Sequence, residues 1–278
     1  LLALRQIAAQ DYRPLEVLVV DDGAVSIEPM LRSEYPRLEL VDPEQPVGVS
    51  PRTNHSGLVV RLVVLARRAS IGEKRTVASR VAQGEVVLHW DDDDFFEPRR
   101  VSAQVAPIAQ GLADVTALQL SFIAAMPQFD VYAPAPNFES IILWSSLAYR
   151  ASLGRELAFA NVSLAEDFDF ADRAVRECHR FLVVPGVQSV YTRHEGAGLG
   201  NTYRFSLKGM IHDGQLQRAR QPAWLTDTTA STSIAAEGDA SGHACPVVAQ
   251  RKPAGLDSDA TTLPWMPMHC CTVLDNTN

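Results

Sequence analysis

Val86-Val-Leu-His-Trp-Asp-Asp-Asp-Asp-Phe-Phe-Glu-Pro98 passes without a break from an apolar run into four consecutive carboxylates. A short apolar run bounded by turn residues reads as a strand buried on both faces, as in a parallel sheet. Phe95 and Phe96 close the acidic run on its far side, so the carboxylates are gathered at a strand end instead of spreading along a solvated tail. Open α/β sheets bind ligands at the carboxyl ends of their strands. Hard oxygen ligands there suit Mg²⁺ or Mn²⁺, which keep coordination positions for substrate phosphates.

Upstream, Leu1, Leu4, Ile7 and Ala8 share a helical face, Gln10–Pro14 interrupts it, and Glu16-Val-Leu-Val-Val20 reads as a second buried strand ending in Asp21-Asp22-Gly23. A helix over 27–34, a strand over 38–41, a Pro-, Gly-, Ser- and Asn-rich loop over 43–57 and a strand over 59–65 follow. Val77, Ala78, Val81 and Ala82 predict a helix over 72–83 that Gly84 stops. Strands alternating with helices make the fold class α/β: a mostly parallel, Rossmann-like sheet flanked by helices.

Beyond Pro98 the pattern predicts a helix over 99–112, strand-rich segments over 114–125 and 141–148, and a strand over 181–184. Phe168, Ala171, Val175 and Cys178 repeat at helical spacing behind Glu166-Asp167, which places that acidic pair at a helix N-terminus, where the dipole favours negative charge. After about Gln221 the composition turns to Thr, Ser, Ala, Asp, Gly and Pro without periodicity. The expected organisation is a folded domain over 1–220 and a low-complexity, flexible and dispensable tail over 221–278.

With 278 residues and 46% hydrophobic content the chain can bury a core. A net charge of −8 and the lack of any Lys/Arg run exclude a nonspecific nucleic-acid binder, which needs a basic face to displace counterions from phosphates. The stretches 57–66, interrupted by Arg61, and 115–126 are too short to span a hydrocarbon layer of roughly 30 Å, so no transmembrane helix is expected. Cys178, Cys245, Cys270 and Cys271 have no paired metal-ligand spacing and read as reduced thiols. Residues 1–10 lack the features of a secretory signal, and the expected location is cytoplasmic, soluble or peripheral to a membrane.

Three blocks, in order, carry a family resemblance: Gln10-Asp-Tyr-Arg-Pro-Leu-Glu-Val-Leu-Val-Val-Asp-Asp-Gly23; Gly72-Glu-Lys-Arg-Thr-Val-Ala-Ser-Arg-Val-Ala-Gln-Gly-Glu85 with His89–Pro98; and Ala165-Glu-Asp-Phe-Asp-Phe170. Together they resemble the family 2 glycosyltransferases of GT-A fold. The resemblance implies a metal-dependent, inverting transfer of a sugar from a nucleotide-diphosphate sugar to an acceptor hydroxyl on a saccharide, lipid or protein, with Mn²⁺ or Mg²⁺ as cofactor. By matched position, Asp22 contacts the base or ribose, and Lys74 and Arg75 lie near the nucleotide. Asp91 and Asp93 form the Asp-X-Asp pair, with Asp93 the direct metal ligand and Asp92 toward the ribose. Asp167 is the general base. Tyr191–Tyr203 resembles a loop closing over the donor, from which His194 joins the metal or a phosphate.

Rival readings stand beside these. Asp22 in an Asp-Gly pair can simply cap a turn, Lys74 and Arg75 can be solvated helix residues, and Glu166-Asp167 can cap a helix without catalytic duty. Phe138, Glu139 and Trp144 are candidates for sugar contact, with core packing the competing role for Trp144. Ahead of Leu1 there is no counterpart to the strand and Pro-Thr-Tyr-Asn-like turn that open the family. That strand is interior in the implied fold, so its absence predicts unpaired backbone edges, as in a fragment or a decayed copy. The alternative functions are therefore a non-catalytic remnant or binding module and, with a weaker match, a sugar nucleotidyltransferase.

Overall fold

The computed structural model describes residues 1–44, 57–136, 141–194, 207–225 and 270–276, the last as backbone only. The first half alternates as expected: α1 (Leu2–Ala8), β1 (Leu15–Asp21), α2 (Glu28–Glu34), β2 (Glu39–Val41), β3 (Leu58–Val64), α3 (Ile71–Val81), β4 (Val86–Asp91), β5 (Phe95–Phe96) and α4 (Arg100–Ala109). Most of the loop read over 43–57, residues 45–56, lies outside the described residues. The second half contains β6 (Val115–Gln119), β7 (Phe122–Met126), β8 (Asp130–Pro134), β9 (Ile142–Arg150), α5 (Ala151–Leu157), α6 (Glu166–Arg176), β10 (Phe181–Val184), β11 (Ser189–His194), α7 (Leu207–His212), β12 (Leu216–Arg218) and β13 (Cys270–Asn276). Among the described residues no helix is long and apolar enough to cross a membrane.

The main sheet runs β10-β6-β9-β4-β13-β1-β3-β2, and only β9 opposes its neighbours. Alternating residues of β1 and β4 feed two cores. Leu15, Val17, Val19, Val86, Leu88 and Trp90 join the α1 and α4 side, while Leu18, Val20 and Val87 join the side that includes Ala78, Val81, Leu153 and Phe170. That period of two on strands covered on both faces explains why their sequences read as continuous apolar runs. A second sheet, β12-β8-β7-β11-β5, stands at the carboxyl end of β4 and begins with Phe95 and Phe96.

Two charges inside the main sheet have local causes. Glu16 on β1 is ion-paired with Arg61 on β3, both buried. Its other oxygen accepts from the backbone N–H groups of Gln83 (2.8 Å) and Gly84 (3.2 Å), while Arg61 donates to the carbonyl of Val81 (3.2 Å). Each buried charge therefore keeps partners. The pair also holds the turn after α3, whose C-cap is the extended Ala82 and not Gly84 as read from sequence.

The largest correction concerns the region after 220. β13 lies between β1 and β4, parallel to both, with Leu15–Asp21 aligned on Cys270–Asn276 and Val86–Asp91 on Cys270–Asp275. A boundary at 220 therefore leaves out an interior strand, and β1 and β4 are each paired on both sides. The sequence reading failed because a seven-residue strand inside a Thr-, Ser- and Pro-rich stretch shows no periodicity of its own.

Candidate functional site

The four aspartates have four different environments. Asp91 is the last residue of β4, and the N–H of Asp94 reaches back to its carbonyl at 3.4 Å, so the run turns sharply before β5. The turn carries Asp94 inward, where it is 1% exposed. One of its carboxylate oxygens accepts from the N–H of Thr192 (2.9 Å) and the other bonds the Ser145 hydroxyl (3.2 Å). Burial, reinforced by Asp93 and Asp91, pushes its pKa well above the carboxylate range. Asp94 thus ties β4 to β9 and β11, a role that sequence reading did not assign it. Asp92 is exposed, and Asp91 and Asp93 are partly so.

Asp93 Oδ2 lies 3.2 Å from His194 Nε2 at the end of β11, and the Asp93 carbonyl accepts from the Thr192 hydroxyl at 2.6 Å. Tyr191–His194 is therefore strand and not loop as expected, while residues 195–203 of the proposed lid lie outside the described residues. Among the described residues no three His, Cys, Asp or Glu side chains form a ready-made metal cage. Asp93 and His194, with Asp91 at the same edge, could hold an ion that draws its remaining ligands from phosphate oxygens, as Mg²⁺ and Mn²⁺ do. Such an ion supplies charge neutralisation for a diphosphate.

At the end of β1 the two neighbouring aspartates divide their work. Asp21 is the turn residue, accepting from the N–H of Gly23 (3.0 Å) and Ile27 (3.3 Å). Asp22 is not the turn cap: its Oδ2 accepts from the N–H of Ala69 at 2.9 Å, and its buried Oδ1 makes no hydrogen bond and faces Lys74 Nζ and Arg68 at 3.6 Å. Lys74 and Arg75 are each 2% exposed, which removes the reading of solvated helix residues. α3 is pinned where it presents them. Ser70 caps it by accepting from the N–H of Glu73 (3.0 Å), and at Gly72 a Cβ would meet the Ala160 carbonyl oxygen at 1.8 Å.

Arg75 links the two halves of the site. Its Nη1 donates to Glu166 Oε1 at 2.6 Å and lies 3.8 Å from Asp167 Oδ2, while Nη2 reaches Asp91 Oδ1 at 3.4 Å. α6 begins at Glu166 after Ala165, which sits at φ +59° with no side-chain cap. Its buried face is Glu166, Asp167, Phe170, Ala171 and Ala174, whereas Val175 and Cys178 are exposed. The apolar spacing gave the helix and half of its inward side: Ala171 is buried and Phe168 packs against the core, but Val175 and Cys178 are exposed and the acidic first turn, which faces Arg75, is buried in addition. Asp167 is raised above the ordinary aspartate pKa, since burial outweighs the attraction of Arg75.

Sequence reading also passed over His89 and Arg100. His89 Nε2 lies 3.1 Å from the Tyr149 hydroxyl, which contacts Ser79 Oγ at 2.9 Å, and burial next to Arg75 and Arg100 drives its pKa well below the ordinary value. Arg100 donates to the His89 carbonyl at 2.6 Å and packs over Trp90 and Phe96 at 4.6 and 3.7 Å to the ring centroids. Neither residue carries a sequence signal beyond its own type. Trp144 is a core residue, edge-on to Phe168 at 5.3 Å, and Phe138 and Glu139 lie outside the described residues.

A mostly parallel sheet with aspartates at the carboxyl ends of two strands, a buried cationic pair between them and an acidic helix start opposite defines an α/β protein with a polar, predominantly acidic candidate site. Residues 1–155, more than half of the chain, match the family described as "Glycosyl transferase family 2", and the chain belongs to that family. A curated relative is an uncharacterized glycosyltransferase, YwdF, of Bacillus subtilis (strain 168), 25% identical over 201 residues that make up 68% of this chain and 67% of that one. Among solved structures, residues 1–349 of S. aureus TarS with UDP align at 22% identity and TM-score 0.48, over 68% of this chain and 55% of TarS. The TarS complex with UDP-GlcNAc aligns at 23% identity and TM-score 0.48, over 69% and 54%. The chain spans about half the length of these solved chains.

Proposed function

We propose that this chain carries the donor and acceptor machinery of a metal-dependent, inverting glycosyltransferase that moves a sugar from a nucleotide-diphosphate sugar to an acceptor hydroxyl. The observation that carries the reading is Arg75, which brings Asp91 at the end of β4 and Asp167 at the start of α6 within reach of one buried guanidinium. The proposed donor side and the proposed base are thereby held in one rigid frame.

In this reading Asp22 and Asp92 receive the base and ribose, and Lys74 and Arg75 set a positive field beside the diphosphate. Asp91, Asp93 and His194 would hold Mn²⁺ or Mg²⁺, which would supply positive charge beside a diphosphate. Asp167 takes the proton of the acceptor hydroxyl as that oxygen attacks the anomeric carbon from the side opposite the leaving group, which inverts configuration. Its raised pKa makes it a stronger proton acceptor than an exposed aspartate.

The test is calorimetric titration of the full chain with UDP-, GDP- and dTDP-sugars in Mn²⁺ and again in EDTA, followed by single-turnover transfer or hydrolysis. Metal-dependent binding of one donor supports the reading. Failure to bind any donor in Mn²⁺ refutes it.

A further inference from the structure

Arg75 and Ser79 lie one turn apart on α3, and His89 and Asp91 lie two residues apart on β4, so each pair occupies one face of its element. Four residues of helix rise about 6 Å and two residues of strand about 6.6 Å, so the two pairs are nearly commensurate. Both are bridged. Arg75 reaches Asp91 at 3.4 Å, and Ser79 reaches His89 through the Tyr149 hydroxyl of β9, which lies 2.9 Å from Ser79 Oγ and 3.1 Å from His89 Nε2. Two successive rungs thus join α3 to β4. The first is ionic and stands at the carboxyl edge, where the Asp91 side chain is 29% exposed. The second lies wholly inside, since Ser79, His89 and Tyr149 are all buried.

The inner rung has a direction. A serine hydroxyl carries one hydrogen, and that of Ser79 goes to the Arg75 carbonyl at 2.8 Å, which can only accept. Tyr149 must therefore donate to Ser79. With its own hydrogen spent, Tyr149 accepts from His89, whose Nε2 must carry a proton. In the opposite tautomer two lone pairs would face each other across 3.1 Å, and the Nδ1 hydrogen would have no acceptor among the described residues. The chain runs in one sense from His89 through Tyr149 and Ser79 to the backbone of Arg75 itself. Gly154 on α5 leaves room for it, because a Cβ there would lie 2.5 Å from Tyr149 Cε2 and 2.9 Å from Ser79 Oγ.

We propose that Tyr149 is a positioning residue for Arg75: by taking a hydrogen from His89 and giving one to Ser79, it sets the register of α3 against β4 and keeps the guanidinium within reach of Asp91, Glu166 and Asp167. A ligand that drew Asp91 away from Arg75 would open the outer rung and leave the inner one closed, because no member of the inner rung stands at the edge. Only the service of Arg75 to a sugar donor rests on the reading above; the register does not.

Two NMR measurements on the full chain without donor test the proposal. In protein labelled with ¹⁵N-histidine, the His89 ring, assigned by its loss in His89→Gln, should carry a proton on Nε2. A ring protonated on Nδ1 alone overturns the proposal, and that result requires no altered protein to be stable. In protein labelled with ¹⁵N-arginine, the Arg75 guanidinium, assigned by its loss in Arg75→Met, reports exchange of its hydrogens with water. Tyr149→Phe should speed that exchange by about 5- to 10-fold, the effect of losing one hydrogen bond. Phe159→Leu removes a ring packed 5.8 Å from that of Tyr149 but none of the inner rung, and should leave Arg75 exchange within about twofold of wild type. Unchanged Arg75 exchange in folded Tyr149→Phe overturns the proposal. Equal acceleration in Phe159→Leu does so too, because lost packing would then account for the effect.

Discussion

Arg75→Met removes a buried cation shared by Glu166, Asp167 and Asp91 while leaving a side chain of similar length to fill the space. Glu166 and Asp167 are 4% and 5% exposed, so neither gains water in compensation. Breaking a buried ion pair by deleting one partner costs about 3–5 kcal/mol, and the partly exposed Asp91 adds little. In a folded unit of this size about 3 kcal/mol corresponds to a fall in Tm of roughly 6–12 °C. The loss carries a pH signature. Asp167 already has a raised pKa, and Arg75 is the largest influence lowering it, so the substitution raises it further. A carboxyl whose folded pKa exceeds its unfolded one destabilises the folded state above that pKa and is relieved as pH falls through it. Urea unfolding of wild type and Arg75→Met at pH 7.5 and 5.5 should show the larger deficit at pH 7.5. A deficit under about 1 kcal/mol at pH 7.5, or one that grows on acidification, refutes the reasoning. Arg75→Lys should recover only part of the stability, because an ammonium cannot reach Glu166 and Asp91 together as the guanidinium fork does.

Asp93→Ala should abolish the metal dependence of donor binding, read by calorimetry with and without EDTA, because two like-charged partners need the cation between them. Asp167→Asn should leave metal-dependent donor affinity near wild type and lower transfer by about 10²–10⁴, since an amide keeps the shape but cannot accept the acceptor's proton; an active Asp167→Asn enzyme would reduce the acidic pair to a structural role. Gly72→Ala should destabilise by about 1–3 kcal/mol in urea melts, because its Cβ would lie 1.8 Å from the Ala160 carbonyl oxygen and one of the two backbones must move. A neutral Gly72→Ala would show that the α3 start is not tightly packed.

Legibility followed the range of the forces involved. β1, β3 and β4 were readable because strands covered on both faces are mostly apolar, and that requirement leaves a local trace. The aspartates at the ends of β1 and β4 were readable for the same reason, as charges abruptly ending such runs. The phase of α6 was readable only in part: Ala171 is buried as its spacing suggests, but Phe170 and Ala174 complete the inward face and not Val175 and Cys178. Its orientation is set by Arg75, ninety-one residues from Glu166 in sequence. Asp94 could not be told from its three neighbours, since its burial depends on Thr192 and Ser145 from two other strands.

The sequence by itself determined the α/β class, the order of the elements through β4, the gathering of acids at the carboxyl edge and the family, because local periodicity and short motifs encode all of these. Only the tertiary structure decided which aspartate is interior, that Lys74 and Arg75 are buried between carboxylates, and that residues 270–276 belong at the centre of the sheet. Those outcomes depend on backbone pairing and charge pairing between segments far apart in the chain. Such pairing satisfies groups that burial would otherwise leave without partners, and it imposes no pattern on either segment alone.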